Sequence, residues 1–170
     1  WIAESQMMKE TENIMLINLD FLPLKTNANI VEANALRIDW NDVIPAEELN
    51  YIMGNPPFLG NSRLSEQQKK DRDKLFTDRS GELDYVCCWY KMASDLISNT
   101  DIKCAFVSTN SICQGQQVTP LWRPLFKAGI HIDFAYKTFI WDSEATIKAN
   151  VYCVIIGFSK SNEKSEKLLF

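Results

Sequence analysis

The tetrapeptide Asn55-Pro56-Pro57-Phe58 limits what this chain can fold into more than any other stretch of it. Proline fixes φ and carries no backbone donor, so two in succession suit neither a helix interior nor a central strand. They follow the short apolar run Tyr51-Ile52-Met53-Gly54 and lead into the polar segment Leu59-Gly60-Asn61-Ser62-Arg63. A buried strand is therefore expected to stop at Gly54, with Asn55 driven toward an extended conformation by the proline after it. The result is a stiff loop at the carboxyl end of a strand, where open α/β sheets place their ligands. It presents the Asn55 amide, the Pro56 carbonyl and the Phe58 ring.

Those groups suit chemistry at the exocyclic amino group of a nucleobase. Such a nitrogen is a poor nucleophile because its lone pair is delocalised into the ring. The Asn55 side-chain oxygen and the Pro56 carbonyl can each accept one of its N–H bonds and stabilise positive charge that grows during attack. Phe58 can hold the base in plane by stacking. No titrating base is required, so a chain with one histidine is no obstacle. The plainer reading is a turn with Phe58 packed in the core. With proline at about 5% of residues, chance supplies this tetrapeptide on the order of once in a thousand chains of this length.

Several stretches carry a resemblance. Asn55-Pro56-Pro57-Phe58 after a hydrophobic strand looks like the catalytic motif of amino-methyltransferases that use S-adenosylmethionine, above all the DNA adenine-N6 enzymes. Residues 33–40 (ANALRIDW), Leu83-Asp84-Tyr85 with Trp89-Tyr90, residues 106–112 (FVSTNSI) and residues 154–159 (VIIGFS) resemble the MmeI-like restriction–modification enzymes. The resemblance implies a partial Rossmann-like α/β methyltransferase sheet, mainly parallel, with a C-terminal antiparallel β-hairpin. It implies methyl transfer from S-adenosylmethionine to a flipped adenine in double-stranded DNA, in a polypeptide that also carries an endonuclease and a target-recognition domain. It places the glycine-rich cofactor loop and the acid that holds the ribose upstream of Trp1. No clustered glycine pair fits that loop here, so the chain alone is expected to be inactive. Residues 1–160 are then the C-terminal part of the catalytic domain and residues 161–170 a tail or linker. Opening at Trp1 rather than a methionine fits the expectation of a fragment.

Composition sets wider bounds. A chain of 170 residues, 46% of them hydrophobic, can bury one core. A net charge of -4 without a lysine cluster would not by itself suggest nucleic acid. Lys69, Lys70, Arg72, Lys74 and Arg79 are diluted by Asp71, Asp73, Asp78 and Glu82, the pattern of a solvated helix face. Cys87, Cys88, Cys104, Cys113 and Cys153 sit among apolar residues without metal-ligand spacing, and read as reduced core residues of a cytosolic protein; the resemblance implies a cytoplasmic protein of prokaryotic type. No signal peptide or membrane-length apolar run is visible.

In chain order, Ile2–Asn13 reads as a helix, Ile14–Leu19 as a strand or irregular run, and Phe21–Leu24 as a loop. Asn29–Ala33 reads as a short strand. By resemblance, Asn34 at its end hydrogen-bonds the adenine of the cofactor and Ala35 adds a backbone N–H; a plain turn residue is the alternative for Asn34. Asp39 reads as a cap. Ser65 and Gln68 match a capping box opening a charged surface helix. Leu83, Val86, Cys87, Tyr90, Ala93 and Ile97 form the apolar stripe of a second helix, about Leu83 to Ile97. Trp89 stands beside that stripe, as a core residue or, by resemblance, as a wall of the adenine pocket. Ile102–Ser108 is a strand ending in Thr109-Asn110-Ser111. Gln114-Gly115-Gln116-Gln117 is a solvated or DNA-touching loop. Thr119–Ala128 is a helix with Pro120 in its first turn and Gly129 as its stop. Ile130–Tyr136 and Val151–Phe158 are antiparallel strands, with His131 on a polar face. By resemblance the loop between them offers an aromatic that stacks on the flipped base opposite Phe58: Phe139, with Trp141 as fallback. The alternative is an aromatic that closes the hairpin.

Two other readings stay open. The same motif chemistry serves methyltransferases that act on RNA bases or on protein glutamine, and an α/β scaffold can help grip DNA without transferring anything.

Overall fold

The computed structural model describes residues 29–141, 151–160 and 166–170. The expected helix at Ile2–Asn13, the run at Ile14–Leu19 and the loop at Phe21–Leu24 lie outside them. The chain divides into two units, Trp1–Ile30 and Val31–Phe170, and the second carries the fold described below.

Five strands form one sheet: β1 (Tyr51–Gly54), β2 (Lys103–Thr109), β3 (His131–Trp141), β4 (Val151–Ser159) and β5 (Leu168–Leu169), in the order β1-β2-β4-β3-β5. β1 and β2 are parallel, as are β3 and β5, while β4 runs antiparallel to both of its neighbours. Four strands thus share one direction and β4 alone is reversed, slotted between β2 and β3. This is the mainly parallel sheet with a reversed hairpin that the sequence leads one to expect.

Among the described residues four α-helices accompany the sheet: α1 (Trp40–Val43), α2 (Glu66–Leu75), α3 (Cys87–Leu96) and α4 (Val118–Lys127). Asp39 caps α1 by accepting from the Asn41 N–H. Ser65 and Gln68 close the expected capping box of α2, at 3.3 and 2.9 Å. Pro120 falls in the first turn of α4, where its missing N–H costs no helical bond. At the other end Gly129 takes φ 90. Its N–H donates to the Phe126 carbonyl and that of Ile130 to the Leu125 carbonyl, the Schellman arrangement that stops a helix.

The chain moves from β1 to β2 and on toward β3 in one direction across the sheet. Right-handed crossovers therefore bring α3 and α4 to the same face. Cys104, Phe106 and Ser108 of β2, paired with Phe158, Ile156 and Val154 of β4, line that face and are buried. Tyr90 of α3 is the centre of the packing. Its ring meets Phe106, Trp122 and Phe158 at centroid distances of 5.2, 5.5 and 5.3 Å. Its hydroxyl shares a 2.8 Å hydrogen bond with Ser108, so a buried polar tip finds its partner. The expected stripe Leu83, Val86, Cys87, Tyr90, Ala93 and Ile97 is fully buried.

Several expectations need correction. Asn29–Ala33 is not a strand: Ile30 is exposed and no ladder forms there. The delivering strand β1 is not buried; Tyr51 is 64% and Met53 77% exposed, because among the described residues β1 has a neighbour on one side only. The stripe helix is shorter than read, since Leu83 closes a 3₁₀ turn ahead of α3. α2 is not purely a solvated helix. Its Asp71 and Arg72 are buried, Asp71 held by Arg37 at 2.9–3.2 Å and Arg72 reaching the Leu83 carbonyl. β3 extends to Trp141, so Phe139 and Trp141 are strand residues rather than loop residues. Residues 161–170, expected as a tail or linker, end in β5, which pairs Leu168 and Leu169 with Phe134 and Ala135. Finally, Cys113 is exposed, unlike the other four cysteines. Burial pushes Cys88 and Cys104 up to about 12, which leaves both thiols protonated and inert.

Candidate active site

β1 runs parallel to β2, so the Asn55–Phe58 loop leaves the sheet at its carboxyl edge, beside the turn that follows Thr109. Pro56 is buried, Phe58 half-buried, and Asn55 and Pro57 exposed. Among the described residues no hydrogen bond claims the Asn55 side chain, so its amide faces outward with its bonding capacity intact. The loop is tied down just beyond the motif. The Leu59 carbonyl accepts from the Tyr85 N–H at 2.9 Å. The Asn61 N–H donates to Asp84 Oδ1 and the Asn61 amide to the Gly81 carbonyl, both at 2.8 Å. Residues 59–61 are thus stitched to residues 81–85, and the double proline stiffens what lies between that seam and β1.

Asp84 joins more than these two segments. Its Oδ2 accepts from the Ser111 hydroxyl and from Gln117 Nε2, each at 2.8 Å. The Asp84 N–H returns a bond to Gln117 Oε1 at 2.9 Å. Ser111 in turn shares 2.8 Å with the Thr109 hydroxyl at the end of β2. Gln117 is therefore neither a solvated nor a free loop residue, as its glutamine- and glycine-rich surroundings suggested. Asp84 was visible in sequence only as part of a resembling stretch. Nothing periodic links positions 61, 84, 111 and 117, which meet only through the tertiary fold.

Of the residues assigned by resemblance to the cofactor's adenine, Trp89 packs against Tyr85. Trp89 is half-buried and stands edge-on to the Tyr85 ring at 5.3 Å. Burial lifts the Tyr85 hydroxyl above its usual value. Asn34 Oδ1 accepts from the Leu36 N–H at 3.0 Å, a local turn. The Ala35 carbonyl accepts from the Trp40 indole at 2.8 Å. Asn34 thus makes the turn that was its alternative reading. No clustered glycine pair lies among the described residues.

Phe139 lies on the same edge but farther across. It pairs with Cys153, which pairs with Thr109, so Phe139 and the end of β2 share one row. β3 is the third strand over from β1, roughly 14 Å at the usual strand spacing. A bulge between Tyr136 and Phe139 re-aims the last turn of that strand. Phe139 is half-buried and 6.4 Å from the more exposed Trp141 ring.

With that geometry in view, the family described as "MmeI, DNA-methyltransferase domain" matches this chain over residues 1–170. The chain belongs to that family. It is 43% identical over 175 residues to DNA methyltransferase A of Bacillus subtilis (strain 168), covering 100% of this chain and 20% of the relative. It also superimposes on the type IIL restriction–modification enzyme MmeI, solved in complex with DNA, with a TM-score of 0.85 and 42% identity. That match covers 100% of this chain and 23% of the solved one. This MmeI-type segment therefore spans about a fifth of the length of the proteins it matches. The Asn55 loop, the Asp84 hub and the α3 stripe all lie within the matched region. No helix among the described residues is long and apolar enough to cross a membrane.

Proposed function

We propose that this chain is the base-holding part of a cytoplasmic DNA adenine-N6 methyltransferase within a restriction–modification polypeptide. The observation that carries the reading is the outward-facing Asn55 amide on a loop braced from behind, in a chain of the MmeI-type family. S-adenosylmethionine supplies the methyl group when bound. Asn34, Ala35 and Trp89 border its adenine end, and upstream parts of the parent protein supply the rest of its site. The open edge of β1, with exposed Tyr51 and Met53, suits the addition of further sheet.

The remaining work falls to residues of this chain. The target adenine is rotated out of the duplex at a cost of a few kcal/mol. Asn55 Oδ1 and the Pro56 carbonyl each accept one N6 hydrogen and stabilise the positive charge that develops there. Phe58 stacks on one face of the base, and Phe139 closes the other across the gap between the strands. The amino group is then held in line for direct displacement, with positioning rather than proton abstraction as the main catalytic contribution. The endonuclease and target-recognition domains of the same polypeptide provide cleavage and sequence choice.

The test is Asn55→Ala in the full-length protein, with tritiated cofactor offered against DNA, RNA and protein substrates. Label should enter DNA alone, and the substitution should lower kcat on the order of 10²–10³. Label in RNA or protein, or comparable turnover by the variant, would displace the reading.

A further inference from the structure

The residues that grip a base are expected to need more than their own chemistry: two acceptors on a loop must be held at a fixed height against a substrate arriving from a duplex. Asn55 and Pro56 have no side-chain brace of their own among the described residues. The bracing comes from the next few residues, tied to two backbone groups and to one carboxylate that reaches further elements.

We infer that Asp84 is the positioning residue of the Asn55–Phe58 loop, with Ser111 and Gln117 setting its orientation. This rests on the reading that the loop acts on a base. Asp84 faces three donors: the Asn61 N–H on Oδ1, and the Ser111 hydroxyl and Gln117 Nε2 on Oδ2, all at 2.8 Å. A carboxylate is acceptor-only and meets all three at once, with charge-assisted bonds. An asparagine would have to point its own NH2 at one of the two sets of donors. Gln117 cannot simply turn over to relieve this, because its Oε1 already accepts the Asp84 N–H at 2.9 Å. The side chain is thus held from both sides.

The hub also spans the elements that matter. Asn61 follows the motif, Ser111 follows β2 through the Thr109 hydroxyl, and Gln117 directly precedes α4. Asp84 itself sits just ahead of α3, where its carbonyl accepts the Cys87 N–H. The neighbouring Tyr85 adds a backbone bond to Leu59 and ring contact to Trp89, so the seam that fixes the loop also borders the residues assigned to the cofactor. A Cβ on Gly60 would stand 3.6 Å from Asp84 Oδ1, an ordinary contact distance, so the loop lies alongside the carboxylate.

The experiment uses the full-length protein and two readouts. Hydrogen exchange of the peptide containing the Asn61 amide, followed by mass spectrometry, reports the loop directly and needs no activity. Asp84→Asn should raise exchange there about tenfold, while peptides from α3 and β2 keep their protection. On plasmid DNA the same variant should lose tenfold or more in kcat, with KM for S-adenosylmethionine changed less than kcat. Should Asp84→Asn fail to fold, Ser111→Ala gives the milder form of both effects, and Ser111→Thr, which keeps the hydroxyl, should recover most of the protection. Unchanged loop exchange in a folded Asp84→Asn or Ser111→Ala protein would overturn the inference. So would a loosened loop with unchanged kcat. Failure of the wild-type protein to methylate adenine would instead remove the functional reading, and the exchange result would still decide whether Asp84 fixes the loop.

Discussion

The two sides of the candidate base site are built differently. On the β1 side, Asn55 and Pro56 project from a loop whose base is fastened by short hydrogen bonds to one carboxylate and to two backbone groups. On the β3 side, Phe139 sits on a strand broken by two register shifts, next to an exposed tryptophan, whose ring is the side-chain contact it makes among the described residues. Hydrogen bonds fix a position to a fraction of an ångström and are costly to leave half-made. Apolar contact tolerates sliding. The comparison teaches that the side carrying Asn55 and Pro56 is the rigid one, and the side carrying Phe139 the adaptable one.

The strongest way to break that contrast is to truncate both aromatics. Phe58→Ala should remove about 1–3 kcal/mol of stacking, which is about fivefold to over a hundredfold in kcat/KM on plasmid DNA. Phe139→Ala should cost less, and Phe139→Leu less again, because that side accommodates. Equal losses from both aromatics would erase the distinction.

A second substitution tests whether the β3 side is shaped by packing. Gly157 pairs with Phe134, and the Phe134 ring lies where a Cβ on Gly157 would stand, well inside contact distance. The glycine is there because an aromatic covers it from the adjacent strand. Gly157→Ala should therefore destabilise by about 1–3 kcal/mol, visible as a drop of several degrees in Tm. Combining it with Phe134→Leu should recover part of the loss.

The α3 side should respond to loss of a polar partner rather than to volume. Tyr90→Phe keeps the ring packing but leaves the buried Ser108 hydroxyl without its 2.8 Å partner, for about 1 kcal/mol in denaturant unfolding.

The smallest effect is a pH dependence. The hydrogen bond from Arg37, then its charge, holds the Asp71 carboxyl below the usual carboxylate value, against the desolvation that raises it. A folded value lowered in this way contributes stability above the unfolded value of about 3.9 and loses it as pH falls through the lower folded one. Asp71→Asn should be less stable than wild type at neutral pH, and the gap should close as pH drops below about 4. A gap that persists or widens in acid would assign the effect to packing instead.

How far the sequence foretold this depends on the range over which its signals act. The double proline, the Ser65–Gln68 box and the α3 stripe are local patterns whose physics is complete within a few residues, and each stands where it was read. The reversed β4 was legible because the stretch from Lys137 to Asn150 is too short for a helical crossover. Asn29–Ala33 misled because an apolar run says nothing about whether a neighbouring strand is there to pair with it. β5 was missed because two residues give no periodicity. The Asp84 hub was missed for a deeper reason: it joins four turns distant in sequence, and each of its residues alone looks like an ordinary polar loop position.

The account stands most directly on what the Asn55 loop does to a purine. Plasmid DNA incubated with S-adenosylmethionine and either full-length wild-type protein or its Asn55→Ala variant can be digested to nucleosides and analysed by mass spectrometry. The account predicts N6-methyladenine from the wild type and at most a trace from the variant. Methyl groups found on cytosine, or equal N6-methyladenine from both proteins, would contradict it.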